Sequence, residues 1–391
     1  MSDSHKHEKR AHSLLSCSGS DRWMNCTPSA RKEEHIASIE SPYALEGTLA
    51  HELSEIELKK YFKIIDNAEY KTRLAEIEEN EHYNDEMPDF VDVYVTHCIE
   101  QVNYYKSICE HVEISIEDKI DLSRYIPDGG GSNDFVIIAD NFIIVIDLKY
   151  GRGVSVSAVN NSQLKLYGLG SVFKHRLSYN MKEIILTIVQ PRTYNISTDV
   201  LTVEELENWA ETEVVEKAKI AFAGEGELNP GNWCKFCKFK PKCRAIYDQN
   251  QEMMKKDFGD PSELTEEEIR EVFEKSDQII SWVNSVQALI MDKLMKKQDF
   301  SGYKLVKGRS IRKFKEPEAV KTKLLNDGFE EADFMAAPKL LGITAIEKLV
   351  GKKKFETEMD DLVFKTEPKP TIALSTDKRD SFFSSAENDF L

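Results

Sequence analysis

No apolar run in this sequence is long enough to cross a bilayer; the longest, "FIIVIDL" at 142–148, is far too short. No apolar stretch follows the polar start "MSDSHKHEKR" either, so the expectation is a cytoplasmic protein without a secretion signal or a membrane partner. Cysteine is sparse and odd in number, seven in all with three clustered. That argues against a secreted disulfide framework and for a reducing compartment. Basic charge is in deficit: 52 Lys and Arg against 69 Asp and Glu leave a net charge of −17. Such a chain does not coat itself in nucleic acid by bulk attraction, although a local basic groove stays open to it. What remains is ordinary globular composition over 391 residues, 41% hydrophobic and 31% charged, enough for two or three domains' worth of core.

Helical and strand periods follow one another in an order that implies an α/β core. Residues 12–60 read as helical pieces, among them "SPYALEGTLAHELSEIEL", and a second helix runs from about 87 to 110. Then "HVEISIE" (111–117), "DFVIIAD" (134–140) and "FIIVIDLK" (142–149) read as strands, with a tight turn at Asp140-Asn141 between the last two. The glycine cluster "IPDGGGSN" reads as a flexible turn, in preference to a backbone nest for phosphate. Helical spacing returns from Asn160 or Asn161 to about Phe173, and "EIILTIVQ" (183–190) reads as a buried strand. Thr265 and Glu268 form a capping box before a long amphipathic helix, whose apolar stripe calls for the core or a partner subunit. The expected divisions are a disordered 1–11, a main domain over 12–250 and the long helix within 251–300. A small α+β region over 301–370 and a flexible tail over 371–391 complete them. There is no internal repeat.

The chemistry concentrates in "DFVIIADNFIIVIDLKYGRG". Asp147 and Lys149 flank one residue near the end of a buried strand, so both point to one side of the sheet. Asp134 begins the neighbouring strand. Two carboxylates and a lysine at a strand end are costly unless they hold a cation or do chemistry. Mg²⁺ suits carboxylate oxygens, and a lysine beside it can orient or deprotonate water and steady a developing charge on phosphorus. Taken alone, D-x-K on a strand is more commonly a surface ion pair. Gln163 and Tyr167 lie four apart on one face of the next helix. Farther on, "NWCKFCKFKPKC" sets Cys234, Cys237 and Cys243 at the spacing of metal ligands, for which a fourth is needed. Thiolates suit zinc and iron–sulfur centres alike. Two basic stretches, "CKFCKFKPKCR" and "YKLVKGRSIRKFK", can follow a DNA backbone or form a solvated face; Arg309, Arg312 and Lys313 lie in the second.

"GTLAHEL" with His51, "NDFV" with Asp134, "IDLK" with Asp147 and Lys149, and "QLKLY" with Gln163 and Tyr167 occur in that order. In this the chain resembles the RecB-like branch of the PD-(D/E)xK nuclease superfamily over about residues 12–250. The resemblance implies a restriction-endonuclease-like core, a central mixed sheet flanked by helices, with a helical N-terminal segment and a mainly helical C-terminal extension. It implies a Mg²⁺- or Mn²⁺-dependent deoxyribonuclease, an exonuclease rather than an endonuclease. Asp134, Asp147 and His51 would hold the metal, Lys149 would assist the attacking water, and Gln163 and Tyr167 would position the DNA strand. Relatives such as the AddB subunit of bacterial break-processing complexes and the CRISPR-adaptation exonucleases carry an iron–sulfur cluster. One of its cysteines precedes the core, and three spaced C-x2-C-x5-C follow it. Cys26 in "CTPSAR" is similar to the early ligand, with Cys17 as a rival lacking that context. The resemblance thus implies a Cys₄ centre of Cys26, Cys234, Cys237 and Cys243 holding [4Fe–4S], with Zn²⁺ as the alternative; Cys98 and Cys109 read as buried apolar residues. With "QPR" at 190–192 included, the arrangement is most similar to a phage-encoded group. That implies replication or recombination in the host cytoplasm, with DNA and a phage single-strand-binding or annealing protein as partners; an oligomer is compatible with this. The rival reading is a non-catalytic DNA-end-binding or scaffold protein with a vestigial site.

Overall fold

A central mixed sheet with helices on both faces organises the N-terminal part of the chain. The computed structural model describes residues 13–37, 41–152, 155–255, 265–308, 312–336, 339–340, 343–365, 370–376 and 380–382. Its contacts divide the chain into two units, Met1–Trp282 and Val283–Leu391, so the division falls inside the long helix. The first unit opens with β1 (Leu15–Ser16), α1 (Ser20–Asn25), α2 (Ser29–Glu33), α3 (Pro42–Tyr61), α4 (Asn67–Glu78) and α5 (Met87–Ile108). β2 (Val112–Asp121), β3 (Gly129–Ala139) and β4 (Phe142–Leu148) form an antiparallel meander. α6 (Ser162–His175) then carries the chain to β5 (Glu183–Gln190), parallel to β4, and β6 (Asn195–Thr202) closes the sheet antiparallel to β5. The order is β2-β3-β4-β5-β6, with β1 adding two residues parallel to the start of β3. α7 (Val203–Trp209) and α8 (Val215–Ala223) are joined by a π turn at Ala210–Val214, and α9 (Arg244–Lys255) and α10 (Glu266–Met295) follow the cysteine segment.

Local chemistry sets these boundaries. Ser41 accepts from Ala44 N with Pro42 behind it, which starts α3; Asn161 accepts from Leu164 N and starts α6. Asp140 makes the β3–β4 turn at φ 43, its carboxylate accepting from Glu110 N and His111 N. Residues Ile143–Ile146 of β4 are buried on both faces, as a continuous apolar run in a central strand requires. The glycine cluster is not a flexible turn: β3 begins at Gly129. A Cβ on Gly131 would stand 3.0 Å from the Tyr167 ring and 3.1 Å from Cys17 Sγ, so its lack of a side chain lets α6 and the N-terminal segment close on the strand. β6 has no apolar alternation to announce it, because its Ile196 and Val200 are the exposed residues.

One irregularity decides where the functional side chains go. Ile114 and Ile116 of β2 and Phe135 and Ile137 of β3 pack with α3 and α5. Ile120, Val136 and Ile138 pack with α6, and Asn133 donates to Ser171 of α6 at 2.9 Å. A regular strand keeps residues two apart on one face. Here both strands exchange faces between the pairs Ile116–Phe135 and Asp118–Asn133. The residues between are Glu117 and Asp134, and Glu117 sits at φ 54. A non-glycine residue held there costs about 1–3 kcal/mol.

The ends of the sheet are tied to the helices. Arg192, after β5, bonds Glu46 of α3 at 2.9 Å and lies 4.6 Å over the Tyr150 ring. Glu46 is thereby fixed little more than one turn before His51. α10 starts at the expected capping box, Thr265 with Glu268. Its middle is held to the cysteine segment by Lys240–Ser281 (2.8 Å), Gln278–Asn232 (3.0 Å) and the Tyr247–Trp282 ring pair. Part of its stripe stays uncovered, with Phe273 78% exposed. Among the described residues no helix is long and apolar enough to cross a membrane.

The second unit is α+β. β7 (Tyr303–Lys307), β8 (Arg312–Phe314), α11 (Pro317–Asn326), α12 (Glu331–Phe334), β9 (Met335–Ala336), β10 (Lys339–Leu340), α13 (Ile343–Val350), α14 (Lys352–Glu358), β11 (Val363–Lys365) and β12 (Pro370–Leu374) follow in order. β7 pairs with β12, β8 with β11 and β9 with β10. Val320, Leu324, Phe334, Ile346, Phe355 and Met359 form its core. The expected tail from 371 includes residues 371–374 of β12, whose backbone pairs antiparallel with β7.

α6 lies close on the sheet at two glycines: a Cβ on Gly170 would meet Ile120 Cβ at 2.8 Å, and one on Gly168 would meet Ile184 at 3.0 Å. Gly47 of α3 faces open space. Alanine gains about 0.5–1 kcal/mol over glycine in a helix, whereas overpacking a core costs about 1–3 kcal/mol. Urea unfolding is therefore expected to show Gly47→Ala raising stability and Gly170→Ala lowering it. Equal effects of the two substitutions would contradict this packing.

Candidate functional site

The exchange of faces at Glu117 and Asp134 brings together side chains from both layers of the sheet. From the α3 side, His51 Nδ1 stands 3.2 Å from Asp134 Oδ1. From the α6 side come Asp147 and Lys149, which continue the alternation of Ile143 and Val145, residues of the α6 core. The other Asp134 oxygen accepts from Leu148 N at 2.7 Å. Lys149 Nζ lies 2.9 Å from Asp147 Oδ2. Gln163 then joins the set: its Oε1 accepts from Lys149 at 3.1 Å, and its Nε2 reaches Asp147 Oδ1 at 3.3 Å and Tyr167 Oη at 3.0 Å. Five residues singled out in the sequence thus converge with Gln163's partner Tyr167.

Tyr167 is 6% exposed, and its hydroxyl accepts from Gln163 Nε2, which fixes the orientation of the glutamine. Glu117 is the residue that the sequence did not disclose. It lies opposite Asp134, accepts from Ser132 Oγ at 2.9 Å, and has a carboxylate oxygen that falls with His51 and Asp134 in one group. All three ligand atoms lie within 4.8 Å of one another, the only such His, Cys, Asp or Glu group among the described residues. A strand acid on the face opposite to the apolar residues reads as solvent-facing. Only the strain at φ 54 turns Glu117 inward.

Burial is the largest influence on every titratable group here, and the neighbours decide the outcome. Burial alone would lower the His51 pKa, but the charge and hydrogen bond of Asp134, with Asp147 behind, lift it to about 9. Burial pushes Asp134 up, yet His51 and the Leu148 N–H hold it below the ordinary carboxylate range. Asp147 goes the other way: burial and the charge of Asp134 raise it despite Lys149. Glu117 is raised by burial and then by Asp134. Lys149 is raised against burial by Asp147. The cluster carries more negative than positive groups in a half-dry site, an imbalance that a divalent cation would relieve.

A second constellation joins the two ends of the first unit. Cys26, 6% exposed, ends α1 and receives Asn229 N at 3.5 Å; Cys234 receives Gly231 N at 3.4 Å. Burial raises the thiols of Cys26, Cys234 and Cys237, the last to about 12. The charges of neighbouring cysteines add to this: Cys243 acts on Cys26, Cys26 and Cys243 act on Cys234, and Cys234 acts on Cys237. Cys17 lies elsewhere, against Gly131, and Cys98 is fully buried between α5 and the sheet. Of the basic residues expected to track DNA, Arg309 lies outside the described residues. Arg312 and Lys313 belong to β8 of the second unit, where their backbones pair with Lys365 and Phe364.

Gln190 and Arg192, noted in the sequence only as part of "QPR", act as supports. Gln190 donates to Gly151 O at 2.9 Å and accepts from Val156 N at 3.1 Å, so it closes the loop that leaves Lys149.

The raised His51 pKa fixes a pH dependence. Protonated His51 stabilises the metal-free fold fully below about pH 6.5, and that contribution is lost as pH rises through about 9. A cation at His51 Nδ1 must displace that proton, so affinity is expected to rise about tenfold per pH unit up to that range. Calorimetric titration with Mn²⁺ from pH 6.5 to 9 measures this, with His51→Gln flattening the dependence. A pH-independent affinity in the wild type would contradict it.

Among solved structures, that of SSO0001 is similar to this chain at 15% identity, covering 56% of this chain and 95% of its own, with a TM-score of 0.22. A family model described as "Protein of unknown function (DUF2800)" matches residues 12–380, and with nearly the whole chain inside it, the protein belongs to the DUF2800 family.

Proposed function

We propose that this protein is a Mg²⁺- or Mn²⁺-dependent DNA nuclease of the PD-(D/E)xK type, an exonuclease acting on DNA ends in phage replication or recombination. The observation that carries the reading is the meeting of His51, Glu117 and Asp134 with the Asp147–Lys149–Gln163 network where the C-terminal end of β4 lies beside the middle of β3. His51, Glu117, Asp134 and Asp147 would hold the cation, all through hard or borderline ligand atoms. When bound, such a cation supplies Lewis acidity to the scissile phosphate and lowers the pKa of water beside it. The protein's own groups do the rest. Asp147 and Gln163 fix the Lys149 ammonium, and the raised pKa of Lys149 keeps it charged. A charged lysine cannot take a proton, so its work is to stabilise negative charge growing on the phosphate oxygens. Tyr167 holds Gln163 in place from below.

Cys26, Cys234, Cys237 and Cys243 would hold a [4Fe–4S] cluster, with Zn²⁺ as the alternative, since thiolates suit both. The N–H groups of Asn229 and Gly231 aimed at sulfur favour thiolate ligands, as a [4Fe–4S] centre requires. Its role would be structural, tying α1 to the chain that leaves the core.

End-labelled linear DNA with Mn²⁺ tests the activity. Purified wild type is expected to degrade it, EDTA to stop it, and Asp147→Asn or Lys149→Met to lower the rate by roughly a hundredfold or more with binding retained. Binding without cleavage by the wild type would leave a DNA-end-binding protein and overturn the enzyme.

Anaerobic purification tests the cluster. The protein is expected to be brown and to carry about four irons per chain. Cys26→Ser should lose iron, whereas Cys17→Ser should keep it. Colourless protein with stoichiometric zinc would contradict the cluster while leaving the nuclease reading intact.

A further inference from the structure

A polar cavity of about 600 Å³ opens beside the candidate site, with Gln163 lining both. Its charges cancel: Asp21 and Glu213 stand against Lys165 and Lys217, and Lys217 is paired with Glu213 at 2.8 Å. A cavity without net positive charge is poorly suited to a phosphate group. It offers instead the amide and hydroxyl groups of Asn25, Asn160 and Ser18 around the indole of Trp209. Polar edges that hydrogen-bond beside a flat face that stacks are what a nucleobase uses. The volume suits a group of that size.

Two features of the backbone aim these side chains. An α-helix turns about 100° per residue, so residues four apart drift by about 40°. The π turn at Ala210–Val214 is wider, and it keeps Trp209, Glu213 and Lys217 together on the cavity wall. On the opposite side, Asn160 sits at φ 55 with an exposed side chain that hydrogen-bonds to no other described residue. Lys165 Nζ lies 4.0 Å over the Trp209 ring.

We propose that this cavity binds the nucleobase of the nucleotide next to the phosphate held at the candidate site, an assignment that rests on the nuclease reading above. The base stacks on Trp209 in place of the Lys165 ammonium, and Asn160 hydrogen-bonds its edge. Lys165, displaced from the ring, pairs with the backbone phosphate of the same strand. A base in a duplex is already stacked and paired, so the substrate at this point is single-stranded.

The test is binding of a short fluorescein-labelled oligothymidylate by the full-length protein, with Ca²⁺ replacing Mg²⁺. The same strand carrying abasic sites is the comparison. Wild type is expected to bind the intact strand roughly tenfold tighter. Trp209→Ala should bring the two strands close to parity, Trp209→Phe should keep most of the difference, and the exposed variant Asn160→Gly should lower it. A preference untouched by Trp209→Ala and Asn160→Gly, or no preference in wild type, overturns the cavity assignment and leaves the nuclease reading standing. Failure to bind either strand contradicts both. If Trp209→Ala does not fold, Asn160→Gly and Trp209→Phe decide alone.

Discussion

Asp134 answers to two layers at once. Its carboxylate takes His51 from the α3 side and the Leu148 N–H from the neighbouring strand, and it feels Asp147 and Lys149 across the sheet. A regular strand would point Asp134 to one face and leave the other layer's groups out of reach. The exchange of faces at Glu117 and Asp134 removes that restriction, at the cost of one left-handed residue. The meeting of the two layers at the site depends on that local reversal. The glycines of α6 bring Gln163 down to the sheet, and Arg192 holds Glu46 so that α3 presents His51 at the right height.

Electrostatics explains why such a reversal is retained. Asp134, Asp147 and Glu117 repel one another, and His51 and Lys149 offset only part of that repulsion. Asp134 stays ionised while Asp147 is pushed toward protonation, the divergence expected of two carboxylates sharing a buried site. A fold with no use for the cluster would be more stable with apolar residues in these positions. The imbalance is a reason to look for a cation, and the ligand types favour a hard divalent one.

Much of this was legible in the sequence, for identifiable reasons. Asp147 and Lys149 interrupt an otherwise apolar strand at spacing two, and Gln163 and Tyr167 stand four apart on a helix, so period alone places each pair on one side. The turn at Asp140 and the caps at Thr265 and Asn161 carry their own local signatures. Glu117 was not legible, because its parity says solvent and only the backbone at φ 54 says otherwise. The glycine run 129–131 reads as a breaker, yet its residues are strand because α6 and Cys17 approach too closely for side chains. β6 carries its apolar residues outward and β1 is two residues long, so neither shows a period. Trp209 gains its setting from a π turn that no residue pattern announces.

If reversing the strand faces builds a divalent cation site from both layers, an ion bound there touches His51, Glu117 and Asp134. Anomalous diffraction from crystals soaked in Mn²⁺ tests it directly, because the position of the ion is read without reference to activity. A manganese peak is expected in contact with His51, Asp134 and Glu117, weakened or lost in Glu117→Gln. A peak elsewhere, or none at these three side chains, would contradict it.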